Sequence, residues 1–173
     1  AEMISRLNID PETCIVNIQG DEPLINPEHI DMTANLLLNS NAHMSTLCAK
    51  ITNIKDVFDP NCVKVVMDQN GYALYFSRAP IPYERDNFKL EVIEDLEFTH
   101  YHHIGIYGYK AKTVIEYNKM PQATIEKCES LEQLRLLDCG YKIAVGITDR
   151  PPETGVDTKE DLDRINALLK NQQ

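Results

Sequence analysis

A largely apolar run from Cys14 to Ile18 stops at the polar segment Gln19-Gly20-Asp21-Glu22-Pro23, and Asn26-Pro27 follows within a few residues. Such a run has the pattern of a strand buried on both faces, and ligands of α/β folds gather beyond the carboxyl ends of those strands. Asn26 and Pro27 form a cap-and-N1 pair that opens a helix through Ile30, Ala34, Leu37 and Leu38. The stretch is therefore one strand-loop-helix unit with two adjacent carboxylates on its rim. Gly20 lets the backbone turn or approach a ligand closely, Pro23 stiffens the exit, and Asp21 and Glu22 are oxygen donors suited to a hard cation. An ordinary acidic loop capping the next helix has the same residues, so this stretch alone leaves both readings open.

Strand and helix patterns alternate over most of the remaining chain. Met44 to Ile51 and Lys142 to Ile147 read as strands, and Cys62 to Met67 and Tyr72 to Phe76 flank Gln69-Asn70-Gly71, a hairpin signal. His100 to Tyr109 alternates as a further strand. Helical spacing covers Ala1 to Leu7, Ala111 to Tyr117 and Glu129 to Cys139, the last with Gly140 at its C′ position. Thr158 and Asp161 resemble a capping box that opens the final helix. Residues 77–99 mix prolines with alternating charge and read as a loop or small insertion. The expectation is a single α/β layered domain over residues 1–173, its sheet mixed but mainly parallel, with an antiparallel excursion near Asn70-Gly71.

Seventeen basic against 27 acidic residues give a formal charge of −10, which repels polyanions and argues against DNA, RNA or an anionic membrane surface as partner. No apolar stretch reaches the length of a membrane span, and Ala1 to Arg6 lack a signal peptide's basic start, so the chain reads as cytoplasmic. The five cysteines are an odd number without a Cys-x-x-Cys pair, which favours buried thiols over disulfides or zinc.

Asp157 lies in Gly155-Val156-Asp157-Thr158, between a flexible residue and a helix start. Paired with Asp21 from another strand end, it offers what magnesium takes in nucleotide chemistry, one or two carboxylates with water and phosphate oxygens completing the shell. Helix capping is the other reading of Asp157. Arg78 follows an apolar strand and is braced by Pro80 and Pro82, placed either to grip a carboxylate or phosphate in two bonds or to make a surface ion pair. Lys64 alternates with Val63 and Val65, facing away from the apolar side toward a cavity or along a sheet edge. Strand alternation separates His103 from His100 and His102, which disfavours zinc. It also puts His103 on one face with Gly105, Tyr107 and Tyr109, a wall suited to a sugar or equally to hairpin or subunit packing. Glu132 and Gln133 read as solvated helix positions.

Six blocks in order, Asn17 to Pro23, Asn61 to Val66, Tyr75 to Arg78, His103 to Tyr109, Leu131 to Arg135 and Gly155 to Thr158, closely resemble the 3-deoxy-manno-octulosonate cytidylyltransferase (CMP-Kdo synthetase) family. The resemblance implies a Rossmann-like nucleotidyltransferase fold whose antiparallel excursion serves dimerisation and sugar binding. It implies Asp21 and Asp157 as the catalytic carboxylates that hold Mg2+, and Gln19, Gly20, Arg78, His103, Tyr107, Glu132 and Gln133 as substrate-binding residues. It further implies CTP and Kdo as substrates, CMP-Kdo and pyrophosphate as products, a role in lipopolysaccharide synthesis, and a homodimer. The family's Pro-Ala-Arg-Tyr and Arg-Leu-Pro-Gly-Lys-Pro motifs, which cradle the nucleotide, have no counterpart here. The chain is thus expected to correspond to the C-terminal two-thirds of such an enzyme and to be inactive by itself. A cytidylyltransferase for another acidic sugar, or a non-catalytic sugar-binding or dimerising module, are the alternatives.

Overall fold

The computed structural model describes residues 1–20, 23–89, 95–150, 156 and 158–170, the side chains of residues 161, 169 and 170 excepted. Helix α1 (Glu2–Arg6) leads into strand β1 (Cys14–Asn17), and α2 (Pro27–Leu38) follows. The Asn26 side chain accepts the Glu28 N–H at 3.0 Å and Pro27 occupies N1, so α2 begins where the residue pattern puts it. Next come β2 (Met44–Lys50), α3 (Ile54–Phe58), β3 (Lys64–Met67) and β4 (Ala73–Ser77), then a 3-10 turn at Asn87–Lys89. Strand β5 (Tyr101–Lys110) is followed by α4 (Ala111–Tyr117), α5 (Thr124–Glu129), α6 (Leu134–Asp138), β6 (Ile143–Thr148) and α7 (Lys159–Lys170). Gly71 turns the β3–β4 hairpin at φ +78°, a conformation costly for any residue with a Cβ.

The sheet runs β4-β3-β5-β2-β6, with β1 also paired to β5. One edge of the ten-residue β5 pairs with β2, and the other is divided between β3, at His102, and β1, from Tyr107 to Lys110. The pairings make β1, β2, β3 and β6 run one way and β4 and β5 the other. The mixed α/β sheet matches the expectation. Its mainly parallel character holds for strand direction but not for neighbours, since β2–β6 is the parallel pair among the described residues. The hairpin reverses β4, β5 runs in the same sense as β4, and β5 therefore threads antiparallel between β1, β2 and β3. The hairpin tip also reaches β6, where Val145 N–H donates to the Gly71 carbonyl at 2.8 Å.

Apolar residues fill both faces of the sheet. Leu47, Ala49, Ile104 and Ile106 pack with Ile30 and Met32 of α2, and Met44, Cys48, Val65, Phe76 and Val145 pack with Leu131, Leu134 and Leu136. Helix α2 lies close to the sheet because residue 108 is glycine. A Cβ there would stand 2.4 Å from Ser45 Oγ, which donates to the Thr33 carbonyl at 2.7 Å.

Three local expectations need correction. The helix read over Glu129 to Cys139 is two elements, because Ser130 takes φ +53° after α5 and α6 starts only at Leu134. The Glu126 carboxylate accepts the Ala123 N–H and a bidentate pair of bonds from Arg135, which folds the two short helices against each other. Lys64 is not on an edge, since β3 lies between β4 and β5, and its side chain is fully buried. Cys48 and Cys62 are buried, their thiols pushed up to about 12 and about 11 chiefly by burial, but Cys128 and Cys139 are exposed.

Candidate active site

Because β1 and β6 run in the same direction, the segments after Asn17 and after Thr148 leave the sheet at the same edge. Those segments carry Asp21 and Asp157, which, with Glu22 and Gly155, lie outside the described residues. No group of three His, Cys, Asp or Glu among the described residues has the arrangement to hold a metal. As a donor set, the two hard carboxylates of Asp21 and Asp157 are of the kind that suits magnesium. Gln19 and Gly20 are exposed, and nothing stands within 4 Å of where a Cβ on Gly20 would be.

The wall on β5 forms as alternation predicts. His103 packs edge-on to Phe76 with centroids 4.9 Å apart, Tyr107 stands 5.4 Å from His103, and Tyr109 lies 6.0 Å from Tyr107. Between His103 and Tyr107 the pairing with β2 shifts, Thr46 standing opposite Tyr107 and Leu47 opposite Ile104, so β5 bulges. Thr46 Oγ1 fills the bulge. It lies 3.0 Å from His103 Nε2, 3.1 Å from the Ile104 carbonyl and 2.8 Å from the Ile106 carbonyl. Burial, with His102 adding to it, holds the His103 imidazole down to about 3, so the ring is neutral at physiological pH.

Beyond Tyr109 the wall opens into a cavity of about 370 Å3 bounded by Asn17, Tyr109, Tyr117, Glu132 and Gln133, with Met3 of α1 at its mouth. Asn17 stands opposite Tyr107 in the β1–β5 register, which joins the cavity to the aromatic row. Gln133 is 4% exposed, and its Nε2 is buried without a hydrogen-bond partner among the described residues. That corrects the solvated reading of Gln133, although Glu132 is exposed as expected. Tyr117, its hydroxyl pushed up to about 12 by burial, donates to the Glu132 carbonyl at 3.3 Å, and the Arg135 guanidinium lies 4.3 Å above its ring.

Among the described residues Arg78 makes no surface ion pair. Its Nε donates to the Glu129 carbonyl at 2.8 Å and its Nη1 to the Pro60 carbonyl at 2.9 Å, while its backbone N–H donates to the Glu129 carboxylate at 2.9 Å. Lys64 Nζ donates to the Arg78 carbonyl at 2.7 Å and to that of Asp59 at 2.8 Å. This brace fixes the start of β3 to the end of β4 and leaves the Nη2 donors without a partner among the described residues. The structure thus gathers His103, Tyr107, Glu132 and Gln133 on one face of the sheet and sets Arg78 at the β4 end. Thr46, Asn17 and Glu129 went unassigned from sequence, although Asn17, the polar residue closing an apolar strand, carried a readable signal.

Residues 1–143 match the model of the cytidylyltransferase family. The chain is 48% identical over 170 residues, 98% of its length, to the 3-deoxy-manno-octulosonate cytidylyltransferase of Francisella tularensis subsp. novicida, of which it covers 67%. It is 46% identical over 171 residues to the enzyme of the same name from Neisseria gonorrhoeae, of which it covers 68%. A solved structure of CMP:2-keto-3-deoxy-manno-octonic acid synthetase complexed with CTP superimposes with a TM-score of 0.84 at 32% identity, over 99% of this chain and 66% of that one. The chain spans about two thirds of the length of these relatives. It belongs to the cytidylyltransferase family, among the 3-deoxy-manno-octulosonate cytidylyltransferases.

Proposed function

We propose that the protein transfers the cytidylyl group of CTP to Kdo, giving CMP-Kdo and pyrophosphate for lipopolysaccharide synthesis in the cytoplasm. The observation that carries this reading is the buried Gln133 Nε2, without a hydrogen-bond partner among the described residues, on a cavity continuous with the His103–Tyr107–Tyr109 row. A buried donor without a partner is costly, and a hydroxyl-rich sugar acid supplies the missing acceptor. A space of this size suits a small ligand.

In the proposed reaction the C2 hydroxyl oxygen of Kdo bonds to the α-phosphorus of CTP in line with the bond to the departing β-phosphate oxygen. Pyrophosphate leaves with that bond's electron pair, and the hydroxyl proton passes to solvent. Magnesium held by Asp21 and Asp157 would supply charge neutralisation on the phosphates when bound. His103 is neutral and far too weak a base to take the proton near neutral pH, so its part is to hold the wall. Gln19, Gly20, Tyr107, Glu132 and Gln133 orient the sugar, and Arg78 meets its carboxylate through Nη2. Bringing nucleophile and phosphorus into near-attack geometry contributes roughly 7–11 kcal/mol in favourable cases. A homodimer is the proposed assembly, with exposed Leu74 on β4 and Ile147 on β6 as apolar surface available to it.

Offering Kdo, sialic acid and an amino-substituted Kdo together with CTP and Mg2+ to the protein as its source expresses it tests the reading. Preferential consumption of Kdo supports it; preference for either competitor would move the assignment to a related cytidylyltransferase.

A further inference from the structure

The bulge of β5 leaves two backbone carbonyls, those of Ile104 and Ile106, converging on a single side-chain oxygen, Thr46 Oγ1. Thr46 is fully buried, and among the described residues its hydroxyl meets those two carbonyls and His103 Nε2. A threonine hydroxyl carries one proton, and a carbonyl accepts but never donates. The shortest of the three contacts, 2.8 Å to the Ile106 carbonyl, takes that proton. The contact to His103 at 3.0 Å is then a bond only if the imidazole donates, with its proton on Nε2 and a lone pair on Nδ1. Nδ1 has no other hydrogen-bond partner among the described residues, and the ring is fixed edge-on to Phe76 and against Tyr107.

We propose that Thr46 is a positioning residue for the sugar site: by committing its hydroxyl to the bulge carbonyls it locks His103 in the Nε2–H tautomer, so that Nδ1 presents an acceptor to a substrate hydroxyl. The inference rests on the reading of the His103–Tyr107 wall as part of the Kdo site and adds to it the polarity of His103. A valine at position 46 keeps the shape of the strand but supplies neither acceptor nor donor. His103 is then free to protonate either nitrogen, and the two carbonyls lose their partner. Serine keeps the hydroxyl.

Two measurements test this on the protein as its source expresses it. Proton–nitrogen NMR correlations of the His103 ring in the wild type are expected to show Nε2 protonated and Nδ1 unprotonated; a protonated Nδ1 would overturn the proposal whether or not the protein turns over Kdo. In steady-state kinetics, Thr46→Val is expected to raise the KM for Kdo about tenfold with kcat changed less than about twofold, and Thr46→Ser to restore the wild-type KM. A Thr46→Val protein that is merely less stable, with its Kdo KM unchanged, would contradict it, and if Thr46→Val does not fold, the ring NMR together with Thr46→Ser decides. Absence of any turnover in the wild type would fail the CMP-Kdo reading instead, and the NMR result would still stand on its own.

Discussion

His29 Nε2 lies 3.3 Å from Thr148 Oγ1, tying the first turn of α2 to the last residue of β6. Thr148 Oγ1 also accepts the Arg150 N–H at 3.2 Å, which turns the chain as it leaves the sheet. Both His29 and Thr148 are buried, whereas the Glu28–Arg150 ion pair beside them, 3.2 Å long, is more than half exposed at both ends. Burial decides between the two links. Thr148→Val should cost about 1 kcal/mol of stability, and Arg150→Gln less than about 0.5 kcal/mol, by urea unfolding. Equal losses from the two variants would contradict the ranking.

The buried histidines set the acid side of the stability curve. Burial holds His103 down to about 3 and lowers His102 and His29, the last with Arg150 acting in the same sense. Each therefore stays neutral to a lower pH in the folded protein than in the unfolded chain, whose histidines titrate near 6.5, and His103 stays neutral down to about 3. The unfolded state then holds more protons, so stability is full above about pH 6.5 and falls as the pH drops toward 3. Urea unfolding should show a lower midpoint at about pH 5 than at about pH 7.5, and His103→Asn should flatten the difference. A midpoint that does not change over that range would show that these rings are not neutral in the fold.

Lys64 is another buried titratable group, its ammonium destabilised by burial and stabilised by the Asp59 and Arg78 carbonyls. Replacing it with methionine leaves both carbonyls without their donor and frees the backbone at Arg78. A loss of about 2–4 kcal/mol is expected for Lys64→Met. Arginine should not rescue it, because a planar guanidinium does not fit a site built around a compact ammonium. A thermal midpoint within a degree or so of wild type would show the brace to be dispensable.

Gln133 separates binding from stability. Its Nε2 has no partner among the described residues, so Gln133→Leu should leave stability unchanged or raise it by about 1 kcal/mol. The same change should weaken Kdo binding by about tenfold, since the sugar loses a donor made ready for it. Destabilisation with unchanged Kdo affinity would make Gln133 an ordinary core residue.

Most elements are legible in the residue pattern because their signals are local. Asn26-Pro27 starts α2, Asn70-Gly71 turns the hairpin, and Gly140, at φ +77°, follows α6. Neighbour relations are not local, and there pattern reading failed. Nothing in the alternation from His100 to Tyr109 says that the strand lies antiparallel between three others, or that it bulges at Ile104. Lys64 read as facing a cavity or lying on an edge strand because lysine is seldom buried, and the carbonyls of Asp59 and Arg78, five and fourteen residues away, make its burial tolerable. At the site, His103, Tyr107 and Tyr109 were readable as one wall from strand period alone. Thr46 was not, because its role depends on carbonyls that a bulge in another strand leaves unpaired.

The proposed reaction has Asp21 and Asp157, on the segments that follow β1 and β6, share a single magnesium ion for CMP-Kdo formation. Its most direct test is the rate of CMP-Kdo formation across a magnesium titration for the wild type, Asp21→Asn and Asp157→Asn. Kdo-dependent product from the wild type, with each variant slowed at least about a hundredfold and not rescued by excess Mg2+, is the predicted result. Either variant forming CMP-Kdo at the wild-type rate would contradict it.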